Sequence, residues 1–242
     1  MRIDQRQPNE LRKLNIKTNV IRHAEGSAMI ELGNTHVLCT ATVENKLPKW
    51  MMGQKVGWVT AEYGMLPRST HDRITREKAF SSGRSQEISR LIGRSLRSAV
   101  RMEALGERQI HIDCDVIQAD GGTRTAAITG GFVALGLALK LLHENGELKD
   151  FPLKHFVAAV SVGWQKNKAL LDLNYEEDSN IHTDMNFVLT NKNTLIEIQG
   201  TGEQSPFSKE EFGQMLELAM TGSQKLFAAQ NEALGGFLPL NA

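Results

Sequence analysis

Apolar and polar positions alternate over Lys13–Val20, Ala28–Leu32 and His36–Val43, the period of half-buried strands, and Gly33-Asn34 supplies turn chemistry between the last two. Lys46–Lys55 reads as a loop, followed by a short apolar strand over Val56–Thr60. Pro67–Arg84 has few apolar residues and no period, and it carries Arg68, Arg73, Arg76 and Arg84. It is expected to be the longest loop of the chain, mobile or ordered by a partner. Beyond it, Ile88, Leu91, Ile92, Leu96, Ala99 and Val100 recur at helical spacing and predict a helix from about Ser85 to Leu105. Arg90, Arg94, Arg97 and Arg101 form one stripe on its other face. That stripe is either solvated or a contact with RNA or another subunit.

Ile110, Ile112, Cys114 and Val116 alternate with polar residues and predict a strand that runs into Asp120-Gly121-Gly122-Thr123-Arg124-Thr125. A helix over Ala126–Leu142 follows, apolar nearly all round and therefore expected between layers. Further strands are expected near Phe156–Gly163, Ala169–Leu173, Met185–Thr190 and Thr194–Gln199. A closing helix begins at the capping box Ser208/Glu211, with Phe212, Met215, Leu216 and Ala219 on its apolar face. Strands punctuated by single helices indicate an α+β fold, read as one compact domain over residues 1–242.

Charge narrows the function. The 28 Lys+Arg and 28 Asp+Glu of the 242 residues cancel, which excludes binding a polyanion by bulk charge and leaves only local basic clusters. Cys39 and Cys114 lie in apolar runs and read as buried thiols of a reducing compartment. No apolar stretch is expected to approach the roughly 18 residues of a spanning helix, and the N-terminus is polar, so a cytoplasmic protein without a membrane partner is expected.

Two stretches can carry chemistry. In DGGTRT, consecutive glycines let the backbone approach a ligand, a helix N-terminus offers free N–H groups, and Thr123 and Arg124 add donors suited to phosphate. The spacing is neither that of a P-loop nor of a dinucleotide-binding turn. The other reading is an ordinary strand-to-helix turn. Asp172–Asp178 with Asp184 is an acidic cluster that either binds Mg²⁺ or Mn²⁺ or is a solvated loop. His71 and His182 lie near these stretches but lack a nucleophile motif, and no zinc or Ser-His-Asp signature occurs.

The chain resembles the ribonuclease PH family over essentially its whole length. The resemblance rests on HAEGS (His23–Ser27), VLCTATV (Val37–Val43), TAEYGMLPRST (Thr60–Thr70) and GRSQEISRLIGRSLR (Gly83–Arg97). IDCDVIQADGGTRTAAITG (Ile112–Gly130), YEEDS with DMN (Tyr175–Ser179, Asp184–Asn186) and EIQGTGE (Glu197–Glu203) continue it. The resemblance implies a duplicated βαβ-type fold of the ribosomal protein S5 domain 2-like kind. It implies a phosphate-dependent 3′-to-5′ exoribonuclease, a tRNA nucleotidyltransferase that trims tRNA precursors and other RNA and releases nucleoside diphosphates. The reverse reaction would add nucleotides.

It further implies that Arg84, Gly122, Thr123 and Arg124 bind phosphate, and that Asp178 and Asp184 are catalytic and hold Mg²⁺ or Mn²⁺. Arg68, Arg73 and Arg76 would bind RNA in a homohexamer built as a trimer of dimers. The sequence departs from the family pattern at Gln5, usually glycine, at Asn174, usually acidic, and at Gly202 and Ser205. Two rival functions remain, a catalytically inactive scaffold subunit of an RNA-degrading ring and a hydrolytic nuclease using the same carboxylates.

Overall fold

A computed structural model describes residues 2–237; of residues 78–80 it describes the backbone alone. In chain order the strands of the first half are β1 (Leu14–Thr18), β2 (Gly26–Leu32), β3 (Thr35–Glu44), β4 (Trp58–Met65) and β5 (Gln109–Gln118). They form one sheet in the order β1-β2-β3-β5-β4, antiparallel except for the parallel pair β4–β5. Three helices lie between β4 and β5: α1 (Arg76–Ser81), α2 (Gly83–Ala99) and α3 (Met102–Leu105). The long helix α4 (Thr123–Glu144) leads to the second half, with β6 (Val157–Gln165), β7 (Lys168–Leu171), α5 (Tyr175–Asp178), β8 (Thr183–Thr190), β9 (Leu195–Gly202) and α6 (Lys209–Ala233). Its antiparallel sheet has the order β7-β6-β8-β9. The architecture is α+β, as the pattern indicates.

Helix α4 is the keel. It packs on β2, β3 and β5 of the first sheet and on β6 of the second. Small residues let it lie close: a Cβ at Gly130 would meet Ile30 Cγ2 at 2.7 Å and Cys39 Sγ at 3.0 Å. Val37, Cys39 and Ala41 of β3 and Ile110, Ile112, Cys114 and Val116 of β5 are buried in the core. Cys39 and Cys114 are paired across the β3–β5 ladder and both are free thiols. Contrary to the expectation that no apolar stretch is long enough, this helix, with a mean hydropathy of 1.7, is by length and composition able to cross a membrane, its polar residues being too weakly hydrophilic to offset the rest; 83% of that window is buried inside the fold. It is a core helix whose apolar faces are met by protein on both sides.

Three differences from the sequence reading have local causes. The helix expected to reach Leu105 ends at Ala99, because Val100 turns extended (φ −108°, ψ 137°) and bridges Leu153, with Arg101 N–H donating to the Pro152 carbonyl at 2.8 Å. The strand expected over Val56–Thr60 instead runs Trp58–Met65, with Val59, Ala61 and Tyr63 buried in alternation with Thr60 and Glu62. The stretch expected to be one loop from Pro67 to Arg84 contains α1 and the first turn of α2, the latter capped by Ser82, whose side chain accepts from Ser85 N–H.

The arginine stripe of α2 is not a uniform solvated face. Arg94 donates to Glu197 at 2.7 Å, Arg97 lies over the Trp58 ring at 4.3 Å and Arg101 donates to the Phe151 carbonyl at 2.6 Å.

Candidate active site

Strand β5 delivers the chain to Asp120, and two glycines turn it into α4: Gly121 has φ 73° and Gly122, the N-cap, φ 64°. Both angles are left-handed, where glycine is at no disadvantage. Gly121 is also the point at which the loop before α5 presses closest, since a Cβ there would meet the Leu173 carbonyl oxygen at 2.6 Å and Tyr175 N at 2.8 Å. The glycines thus bring two chemically active stretches together: the N-terminal turn of α4, with its free backbone donors, and the acidic segment Asp172–Asp178.

Between them lies a cavity of about 550 Å³. Arg84, Gly122, Thr123, Arg124, Asp178 and Asp184, all six residues expected to serve phosphate and metal, line it together with Gln199, Asn186, Thr70, Tyr175 and Glu203. Arg68, Arg73 and Arg76 do not line it. They lie on the exposed surface around α1, where Arg68 donates to the His71 carbonyl at 2.9 Å. His71 is exposed and His182 is not among the lining residues.

The cationic side of the cavity is held in place. Arg124 Nη1 donates to Gln199 Oε1 at 2.7 Å and to Glu87 Oε1 at 3.3 Å, and Gln199 Nε2 donates to the same Glu87 oxygen at 3.1 Å. These bonds occupy Nη1 and leave Nε and Nη2 of the guanidinium fork for an anion. The buried Thr123 hydroxyl shares a 2.8 Å hydrogen bond with Tyr63 Oη, and burial raises the Tyr63 phenol above its ordinary range, so it stays protonated. Arg84 stands in the first turn of α2, near enough to act electrostatically on Asp178, Asp184 and Tyr63.

The acidic cluster divides by partner. Asp172 is buried and takes a bidentate pair from Arg12, Nε to Oδ2 at 2.9 Å and Nη2 to Oδ1 at 2.7 Å. Glu177, also buried, takes the same fork from Arg2 at 2.6 Å on each oxygen and completes a capping box with Asn174. Arg12 also donates to the Asp120 carbonyl, tying the glycine turn to the acidic segment. Asp178 and Asp184 have no side-chain hydrogen bond or ion pair among the described residues. Burial raises the Asp178 carboxyl despite the opposing pull of Arg84. Burial, with repulsion from Asp178 and Glu203, pushes Asp184 up to about 6.

Half-buried carboxylates left unpaired while their neighbours are neutralised by arginine fit a divalent cation. Mg²⁺ in particular takes one or two carboxylates and completes its shell with water and phosphate. Among the described residues no group of three or more His, Cys, Asp or Glu converges on one point. Asn174, at the position where a third carboxylate is usual, turns its side-chain oxygen to the Glu177 N–H at 2.9 Å.

The other departures also have structural counterparts. Gln5 takes φ 65°, a left-handed angle that suits the glycine usual there. Gly202 and Ser205 form one tight turn in which a Cβ on Gly202 would run into the Ser205 carbonyl, with Glu203 of that turn facing the cavity.

Sequence reasoning assigned no role to Gln199, Glu87, Tyr63 or the Arg2–Glu177 and Arg12–Asp172 pairs. Tyr63 and Gln199 do fall inside the segments that carry the family resemblance, so those segments were the available signal.

Comparison with known proteins agrees with this picture. The profile of the 3′ exoribonuclease family, domain 1, matches residues 10–139, and that of domain 2 matches residues 155–222. Ribonuclease PH of Bdellovibrio bacteriovorus is 57% identical over 235 residues, covering 97% of each chain. Among solved structures, Rrp46 of rice (Oryza sativa) superposes with a TM-score of 0.78 at 22% identity, over 96% of this chain and 100% of that one. A chain of the Archaeoglobus fulgidus exosome with RNA bound to the active site superposes with a TM-score of 0.76 at 23% identity, over 94% and 91%. These last two establish the shared fold. With both family domains matched in order and a relative this similar along almost its full length, the chain belongs to the ribonuclease PH family of 3′ exoribonucleases.

Proposed function

We propose that this chain removes nucleotides from the 3′ ends of tRNA precursors and other RNA by phosphorolysis, with the work divided across the two walls of the cavity. The observation that carries the reading is the facing of an anchored anion cradle, Gly122–Arg124 with Arg84, against two carboxylates with no protein partner, Asp178 and Asp184. A hydrolase using water would have no need of the cradle.

Inorganic phosphate binds at the first turn of α4, where Thr123, the free fork of Arg124 and Arg84 orient it. One of its oxygens attacks phosphorus in the last phosphodiester, and the bond from that phosphorus to the preceding 3′ oxygen breaks. The proton of the attacking hydrogen phosphate passes to the departing 3′ oxygen, so the products are a nucleoside diphosphate and an RNA shortened by one nucleotide with a free 3′ hydroxyl. Because the exchange of one phosphate linkage for another is nearly balanced, the same residues run the reverse addition. Asp178 and Asp184 would hold Mg²⁺ or Mn²⁺. The metal, when bound, supplies Lewis-acid stabilisation of the charge that develops on the phosphoryl oxygens. Asp184 also assists the departing 3′ oxygen.

Arg68, Arg73 and Arg76 are solvent-facing cations outside the cavity, suited to the RNA backbone upstream of the reacting end. A homohexamer, arranged as a trimer of dimers, gathers such clusters from several copies and so lets a chain of zero net charge hold a polyanion. Two buried free thiols suit a reducing, cytoplasmic setting.

Arg124→Ala is the direct test. Steady-state phosphorolysis of a tRNA carrying extra 3′ nucleotides should show a phosphate KM raised by about 10-fold or more, or turnover lost, with RNA affinity within about twofold of the parent. Equal losses of phosphate and RNA binding would contradict the division of roles. A parent chain with no turnover in the presence of phosphate and Mg²⁺ would favour the scaffold reading.

A further inference from the structure

Among the described residues Tyr175 is the aromatic side chain that lines the cavity, and it is 67% exposed. A tyrosine ring offers an apolar face with a polar tip, the kind of side chain that serves at a wet binding surface. Among the described residues nothing hydrogen-bonds the Tyr175 hydroxyl, so no polar contact holds the ring outward.

Its backbone, by contrast, is fixed from several sides. Tyr175 N–H donates to Asp120 Oδ1 at 3.2 Å. The Asn174/Glu177 capping box closes the turn around it, and the buried Arg2–Glu177 and Arg12–Asp172 pairs anchor both ends of that turn. The ring is therefore presented from a rigid mount, with little ordering left to do on binding. Tyr175 and Asp178 are three residues apart on α5, hence neighbours on one face with Cβ atoms about 5–6 Å apart.

Resting on the phosphorolytic reading of this cavity, we propose that Tyr175 is the stacking platform for the base of the 3′-terminal nucleotide. With the scissile phosphate between Arg84, Arg124 and Asp178, the base of the same nucleotide reaches the neighbouring ring. Every base has a π-face, so stacking accepts all four, as an enzyme that removes one nucleotide after another requires. The lining matches this tolerance: Gln199, the longest neutral polar side chain in the cavity, is engaged by Arg124 and Glu87 and is not free to read a base edge.

The test compares a short oligoribonucleotide with the same chain ending in an abasic 3′ ribose. Dissociation constants are read without phosphate, and kcat/KM is read with phosphate and Mg²⁺. The parent should bind the intact RNA about 5- to 150-fold more tightly than the abasic one, the range for one base stacked on an aromatic ring. Tyr175→Ala should reduce that ratio to near one and leave the phosphate KM unmoved. Tyr175→Phe, which keeps the ring face, should retain the parental ratio.

A parental ratio in Tyr175→Ala overturns the proposal. So does a Tyr175→Phe variant as impaired as the alanine variant, or a parent that is insensitive to a terminal abasic site but sensitive to a penultimate one. Absence of nucleoside diphosphate from the parent would instead strike the phosphorolytic reading, while the binding ratio still decides the role of Tyr175.

Discussion

Asp184→Asn separates function from stability in opposite directions. In the metal-free fold the Asp184 carboxyl is pushed from its ordinary 3.8 up to about 6, first by burial and then by Asp178 and Glu203. The folded state thus binds more protons than the unfolded chain between about pH 4 and 6, and stability falls as pH rises through that window. At 1.36 kcal/mol for each tenfold change the displacement amounts to about 3 kcal/mol, which screening of a partly exposed group reduces to roughly 1–2 kcal/mol. Asparagine removes the charge and keeps the shape.

Urea unfolding at fixed protomer concentration without divalent metal should therefore find Asp184→Asn more stable than the parent by about 1–2 kcal/mol at pH 7.5. The gap should close toward pH 4.5. Adding Mg²⁺ should stabilise the parent, by about 2.7 kcal/mol at a hundred times the dissociation constant, and the variant far less. Turnover should fall by about 100-fold or more, as the metal site loses a ligand. A variant no more stable than the parent at pH 7.5, or a gap that does not depend on pH, would refute the reasoning, because the strain assigned to Asp184 would not exist.

Three further outcomes follow from the same structure. Arg12→Ala takes from buried Asp172 its bidentate guanidinium, leaving the backbone N–H of residue 12 at 2.8 Å and Arg6 at 3.5 Å, and unties the Asp120 carbonyl, so it should cost about 2–3 kcal/mol by chemical denaturation. Gln5→Gly relieves a left-handed residue and should be neutral to about 1 kcal/mol stabilising, read as an unchanged or raised Tm with unchanged activity. Arg68→Ala removes an exposed cation whose hydrogen bond, among the described residues, stays within its own loop, so Tm should hold while RNA affinity falls and its salt dependence flattens by about one counterion.

Legibility followed from which residues speak for themselves in a sequence. Strands with one buried face, β3 and β5 above all, announce themselves by alternation, and the all-round apolarity of α4 marked it as the layer between two sheets. The end of α2 did not, because Val100 continues the apolar period while its backbone leaves the helix to pair with Leu153. In β4 the alternation of Val59, Ala61 and Tyr63 with Thr60 and Glu62 carries the strand five residues past Thr60, a legible signal that the shorter expected strand did not use.

At the site, DGGTRT was readable because glycine pairs and a helix start carry their own chemistry. The acidic cluster was readable only as a cluster. Sorting Asp172 and Glu177, neutralised by Arg12 and Arg2, from Asp178 and Asp184, left without a partner among the described residues, depends on contacts between residues some 160 to 175 positions apart. No local pattern reports such contacts. Likewise Gln199 earns its place by meeting Arg124, 75 positions away.

The central claim, that phosphate held at the start of α4 is the attacking group, is tested most directly by radiolabelled inorganic phosphate. Incubated with Mg²⁺ and a tRNA bearing extra 3′ nucleotides, the purified chain should place the label in nucleoside diphosphate, one phosphate for each nucleotide removed. Unlabelled nucleoside monophosphates, formed whether or not phosphate is present, would contradict it and make the cavity a hydrolytic site.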